Sequence, residues 1–231
     1  AWAQGRAQAA LERFVGRTAP PPPALCSVVP RVTPRVRRAL AQRWRLRAFE
    51  LSTRTVRGVG VNYPRPETIG ADRLANAVAA RRHFGAPVVV VDFGTAVTFD
   101  VINARGDYIG GVIAPGLAAM TDYLHEKTAL LPRIRIRDVP RAIGRSTEEA
   151  MRIGAVHGYR GLIRAVLAEL RKELKARRLT VIATGGCARL LAAKLPEVTA
   201  VEPRLTLEGL RLELLAALEA GFPRSPTKRA G

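Results

Sequence analysis

Between Asp92 and Thr95 a carboxylate, a glycine and a hydroxyl fall within one tetrapeptide, Asp92-Phe93-Gly94-Thr95. Glycine lets the backbone approach a ligand closely, a threonine hydroxyl and turn N–H groups bind phosphate oxygens, and a carboxylate holds a cation beside them. That combination suits a nucleotide phosphate and its counter-ion. An ordinary β-turn uses the same residue types, so the tetrapeptide alone leaves both readings open. Asp72 and Arg73 follow Gly70-Ala71 at the start of a helical pattern, where an acid also complements the helix dipole. Gly185-Gly186 joins a strand to a helix N-terminus. Such a junction suits a phosphate or nucleoside, and equally serves as a plain connection.

The elements that must position these residues are readable from periodicity. Val88 to Val91 is a short β-branched run, the pattern of a buried strand, ended by Asp92 and Gly94. Val97, Phe99 and Val101 then alternate with Thr98, Asp100 and Ile102, and the turn residues Asn103 to Asp107 precede a strand from Tyr108 to Ile113. The expectation is a hairpin following a buried strand. A helix is expected from Gly70 to about Phe84, with Leu74, Ala77 and Val78 facing inward. Pro115-Gly116 turns the chain into a helix from Leu117 to about Lys127, and Leu130 to Ile136 reads as extended. Ser146 and Glu149 form a capping box that opens a long helix to about Arg178, in which Gly154, Gly158 and Gly161 make a stripe for close packing or bending. A strand from Leu179 to Thr184, a helix to about Lys194, a strand from Val198 to Val201 and a helix from Leu205 to Ala220 complete the run.

Upstream, a helix is expected over Ala1 to Val15, a proline-rich linker over Ala19 to Ala24 and a strand over Leu25 to Val29. Thr33 is the expected N-cap of a helix reaching Trp44, with Pro34 at its first position, and Arg47 to Leu51 is the next strand. The basic tail from Pro223 to Gly231 reads as disordered.

Composition bounds the class. A chain of 231 residues with 48% hydrophobic content can bury a sizeable core, and no apolar run approaches the roughly 18 residues of a membrane span. No secretory leader opens the sequence, which points to a cytoplasmic protein with no membrane partner. Cys26 and Cys187 offer neither a disulfide framework nor metal-ligand spacing, and His83, His125 and His157 are isolated. No transition metal is expected. The net charge of +19 favours acidic partners, yet the arginines are dispersed and the stacking aromatics amount to 5%. Nucleic acid is therefore kept as a minor reading.

An ordered set of short segments resembles the type III pantothenate kinases, members of the actin-like and sugar-kinase superfamily. These are Ser27-Val28-Val29-Pro30; Tyr63, Pro66 and Gly70-Ala71-Asp72-Arg73; Asp92-Phe93-Gly94-Thr95-Ala96 with Thr98; and Gly110-Gly111 with Ala114-Pro115-Gly116. Thr128-Ala129, Leu131-Pro132, Ile143-Gly144, Thr147, Ala183-Thr184-Gly185-Gly186 and Leu205-Thr206-Leu207-Glu208-Gly209-Leu210 follow in order. The order of so many matches is far more specific than any one string.

The resemblance implies an α/β protein of two ribonuclease-H-like domains, here 1–86 and 87–222, followed by the tail 223–231. It implies transfer of the ATP γ-phosphoryl to pantothenate, the first step towards coenzyme A, by a cytoplasmic homodimer. By this resemblance Asp72 is the proton acceptor, and Tyr63, Gly70, Ala71, Asp72, Arg73 and Thr147 contact pantothenate. Gly94, Thr95, Gly185 and Gly186 serve ATP, Asp92 binds potassium or ammonium, and Mg2+ accompanies the nucleotide. The family's opening Asp-x-Gly-Asn-Thr strand has no counterpart in residues 1–231. The first domain is accordingly expected to be incomplete at its N-terminus, with roughly 25 to 40 further residues encoded upstream to supply its first strands. The other reading of the same chain is a non-catalytic, basic, kinase-like protein acting as an accessory factor in transcription.

Overall fold

The computed structural model describes residues 9, 10, 13 and 21–223. The expected helix at Ala1 to Val15 lies largely outside the described residues, as does the tail beyond Pro223. The chain forms two compact units, 1–79 with 206–231, and 80–205.

The unit 80–205 is built on the apolar run foreseen as a buried strand. Val88–Phe93 (β4), Ala96–Ile102 (β5) and Asp107–Pro115 (β6) form an antiparallel meander, while Thr180–Thr184 (β7) and Ala200–Val201 (β8) add in parallel on the other side of β4. The order β6-β5-β4-β7-β8 puts β4 in the middle, and Val88, Val89, Val90 and Val91 are all fully buried. A strand covered on both faces has no use for alternation, which is why this run reads as continuously apolar. The meander with two parallel strands beside its first member is the ribonuclease-H-like order. With the mixed α/β composition it fits the actin-like ATPase fold.

Leu117–Lys127 and Thr147–Glu173 are the larger helices of this unit, and Ala188–Ala192 is a short one. Tyr159, Ile163 and Leu167 of the long helix pack into one core with Val89, Val91 and Phe99. Ser146 caps that helix by accepting from Glu149 N–H, while the Glu149 carboxylate reaches back to Arg145 N–H, one residue before the cap. The helix is shorter than its pattern suggested. It stops at Glu173 because Lys175 turns left-handed at φ 49° and Arg171 holds the carbonyls of Ala176 and Arg177. The expected extended segment Leu130 to Ile136 pairs with no strand; it is fixed instead by Arg152 Nε donating to Arg135 O. Gly154, Gly158 and Gly161 do not serve close packing among the described residues, where a Cβ at any of them would meet nothing within 4 Å.

In the unit 1–79 with 206–231, Ala24–Leu25 (β1) and Phe49–Glu50 (β2) pair in parallel, joined by the helix Thr33–Trp44, and Gly60–Val61 (β3) is a third short strand. Both β1 and β2 are shorter than expected. Thr33 is a helical residue and Val32 the N-cap, the Thr33 hydroxyl donating instead to Ser27 Oγ at 2.7 Å. Residues 71–79 open the helix Ala71–Phe84, and Leu205–Glu219 supplies the other helix of this unit's core. Leu74, Ala75, Phe49, Leu51 and Ala217 form that core, with Cys26, Leu210 and Phe222 packed around it. Two contacts fix the helix pair. Gly209 lies so close to Ala75 O that no side chain fits there, and Thr206 Oγ1 donates to Asn76 Oδ1 at 2.7 Å. Glu213, 1% exposed, accepts from Arg57 N–H at 2.9 Å and Gly58 N–H at 2.6 Å, so its buried charge is met by two backbone donors.

Candidate active site

Asp92 and Phe93 end β4, and the turn Gly94-Thr95 leads straight into β5. Gly94 N–H donates to Ala96 O at 3.1 Å, and Thr95 O accepts from Gly116 N–H at 3.0 Å. A Cβ on Gly116 would collide with the Thr95 carbonyl and lie 2.5 Å from Gly94 O, so only glycine allows the end of β6 to close on this corner. Tyr159, 1% exposed, donates its hydroxyl to Pro115 O at 3.0 Å and so ties the long helix to the same corner. Burial, and then the nearby Cys187 thiol, pushes the Tyr159 hydroxyl up to about 12, leaving it a proton donor at any ordinary pH.

β7 runs parallel to β4 in the register Asp92↔Thr184, which brings Gly185 to the side of Asp92. Gly185 adopts φ +91°, and a Cβ there would lie 2.5 Å from Asp92 Oδ1 and 2.7 Å from Phe93 N. Cys187 N–H donates to Phe93 O at 3.4 Å. Asp92, Gly94, Thr95, Gly185 and Gly186 are thus brought together at the carboxyl ends of two adjacent parallel strands. Ligands of open α/β sheets bind at such strand ends. Gly94, Thr95 and Gly186 are exposed, and Asp92 is half-buried.

Among the described residues no three His, Cys, Asp or Glu side chains gather as a metal cluster. Asp92 is instead a single carboxylate, the oxygen ligand type that hard cations take.

Thr147 occupies the first position of the long helix and is exposed. Gly144 just before it is crowded by Ala150 N, which fixes how the chain enters that helix.

In the other unit, Gly70, Ala71, Asp72 and Arg73 form the first turn of the helix Ala71–Phe84. Asp72 Oδ1 accepts from Arg73 N–H at 2.8 Å and would lie 2.5 Å from a Cβ on Gly70, while Gly70 O accepts from the N–H groups of Arg73 and Leu74. Asp72, Arg73 and Tyr63 are half-buried. Cys26, for which the sequence offered neither a disulfide nor a metal role, is a neighbour of Asp72. Burial first, and the Asp72 charge second, pushes its thiol up to about 12. Tyr159 was likewise missed, since nothing local in the chain announces a hydroxyl aimed at a carbonyl 44 residues away.

The family model described as type III pantothenate kinase matches residues 6–169. The chain belongs to the type III pantothenate kinase family. Type III pantothenate kinase of Akkermansia muciniphila is 53% identical over 188 residues, 81% of this chain and 76% of that protein. Proteins of the same name from Methylacidiphilum infernorum and Thermomicrobium roseum are each 46% identical over 189 residues, covering 68% and 72% of their lengths. Among solved structures, a conserved putative Baf family transcriptional activator from Campylobacter jejuni is 19% identical with a TM-score of 0.59, covering 90% of this chain and 89% of that one. This last likeness concerns the fold. No described helix of this type III pantothenate kinase family member is long and apolar enough to cross a membrane.

Proposed function

We infer that this protein transfers the γ-phosphoryl group of ATP to the primary hydroxyl of pantothenate, giving 4'-phosphopantothenate and ADP, the first step of coenzyme A biosynthesis. The observation that carries this reading is the 41–53% identity to proteins named for that activity over 188–189 residues. The transcriptional reading has in its favour only a solved structure at 19% identity, a likeness of fold alone.

The chemistry asks for a base, for phosphate positioning and for charge neutralisation. Asp72 takes the proton of the primary hydroxyl as its oxygen bonds to the γ-phosphorus and the bond to the ADP oxygen breaks. Its fixed place in a helix first turn, anchored by the Arg73 N–H, suits a group that must point one way. Arg73 pairs with the pantothenate carboxylate, a charge-assisted contact that orients the hydroxyl at the far end of the substrate. Tyr63, Gly70, Ala71 and Thr147 complete the substrate contacts.

Gly94 and Thr95 meet the ATP phosphates, and Gly185 and Gly186 form the adenosine-side turn. Asp92 holds a potassium or ammonium ion beside the phosphates. When bound, that ion and the Mg2+ on the nucleotide would supply positive charge against the phosphates. The working protein is a cytoplasmic homodimer. A second copy would cover a group of exposed apolar side chains on and around the helix Leu117–Lys127, namely Ile113, Met120, Tyr123, Leu124 and Leu130.

The test uses protein expressed from the complete reading frame, incubated with ATP, Mg2+ and pantothenate in potassium buffer. Mass spectrometry should find 4'-phosphopantothenate formed in step with ADP. ADP release without a phosphorylated product, or neither, overturns the reading.

A further inference from the structure

A groove of about 840 Å³ lies within the unit 1–79 with 206–231, and none of Tyr63, Gly70, Asp72 or Arg73 lines it. Its apolar wall is made by Leu46, Phe49, Leu51, Ala217 and Phe222, with Phe222 edge-on to Phe49 at 5.8 Å between ring centroids. Arg37, Arg47, Arg54 and Arg57 also line the groove, with Glu50 as its one acidic residue. Glu50 is taken by Arg37 at 2.8 Å. Among the described residues Arg47, Arg54 and Arg57 make no ion pair, and Arg47 sits over the Phe222 ring at 6.0 Å.

Some arginines elsewhere close on acids, Arg152 on Glu148, Arg160 on Asp138, Arg164 on Glu197 and Arg211 on Glu208. The volume falls within the range of small-molecule sites, which combine an apolar lining with a few placed polar groups. Of residues 1–231, those outside the described set carry Arg6, Arg17, Arg224, Lys228 and Arg229 against the one acid Glu12. Like charge would repel them from these walls.

We propose that this groove binds a small amphipathic organic anion: an aromatic or acyl body against Phe49 and Phe222, with a phosphate or sulfonate head held by Arg47, Arg54 and Arg57. Planar guanidinium groups match such heads with paired hydrogen bonds, and the aromatic wall takes the body. The site is separate from the residues assigned to pantothenate and ATP, so it can be emptied without touching the kinase machinery.

The probe is 1-anilinonaphthalene-8-sulfonate, titrated by fluorescence into the full-length protein. Its uncharged counterpart, N-phenyl-1-naphthylamine, is titrated in parallel. Saturable binding of one sulfonate probe per chain is expected, with affinity reduced at least about tenfold in Arg47→Ala/Arg54→Ala, the loss of roughly one charge-assisted contact. The uncharged probe should bind weakly and equally to both proteins. Octyl phosphate should displace the sulfonate probe, whereas Mg2+-ATP should not, and pantothenate phosphorylation should be the same in both proteins. Equal affinity of the two proteins for the sulfonate probe, binding of the uncharged probe as tight as that of the sulfonate probe, or displacement by Mg2+-ATP overturns the proposal. A circular-dichroism melt matched between the two proteins ensures that a lost signal reflects the arginines.

Discussion

Gly185 occupies the one position where β7 can pass Asp92: at φ +91°, its absent side chain leaves the Asp92 carboxylate and the Phe93 amide in the space a Cβ would take. Replacement by alanine would force either the strand end or the carboxylate to move, in a backbone conformation that alanine resists. Gly185→Ala should cost about 1 to 3 kcal/mol of stability. It should also raise the KM for ATP more than the KM for pantothenate. A thermal melt and the two Michaelis constants check this; an unchanged KM for ATP would show that the junction is only a connection.

Gly209 makes the same kind of contact with the backbone of Ala75, three residues along the helix from Asp72. A methyl group there overpacks the crossing of two helices, at a cost of about 1 to 3 kcal/mol. Because the helix carrying Asp72 must shift, Gly209→Ala should lower kcat beyond what the folded fraction explains. Activity per folded molecule equal to wild type would mean that Asp72 is held independently of this crossing.

Much of the unit 80–205 was legible because its signals are local. A continuous β-branched run, a period-two alternation and a Ser-x-x-Glu box each lie within a few residues, and each element began close to where its pattern put it. The shared corner of Asp92 and Gly185 could not be derived in that way, since the two are joined by a parallel pairing across more than ninety residues. Glu213 is the sharper case. On its helix it looks like one more surface acid, and only the loop at Arg57 and Gly58, 156 and 155 residues away, makes it a buried acceptor. The two-residue strands β1 and β2 were overcalled because a short apolar run does not say how many of its residues find a partner.

Cys26 gives a pH prediction. Its thiol is pushed up from an ordinary 9.0 to about 12, by burial first and by Asp72 second. The folded-state value lies above the unfolded one, so this group's contribution is complete below about pH 9 and drains away as pH rises towards 12. The stability difference between wild type and Cys26→Ala, followed by urea unfolding, should therefore shrink from pH 8 to pH 11. Asp72→Asn should raise the rate of iodoacetamide alkylation of Cys26, since removing the negative charge eases thiol ionisation. A pH-independent difference with unchanged alkylation would place Asp72 out of reach of the thiol.

For Asp92 the expected effect is on the monovalent ion. Asp92→Asn replaces a carboxylate with a neutral amide of the same size, which attracts a hard cation less strongly. The potassium concentration for half-maximal activity should rise. Identical potassium curves for the two proteins would leave Asp92 with a role in the turn alone.

The central claim is that Asp72 drives phosphoryl transfer to pantothenate, and it is tested most directly by following label from γ-radiolabelled ATP into pantothenate with wild type and Asp72→Asn side by side. Wild type should transfer label, and the variant, folded and with an unchanged melting temperature, should be slower by about two orders of magnitude or more. Equal transfer by both proteins, or no transfer by a wild-type protein expressed from its complete reading frame, would contradict the account.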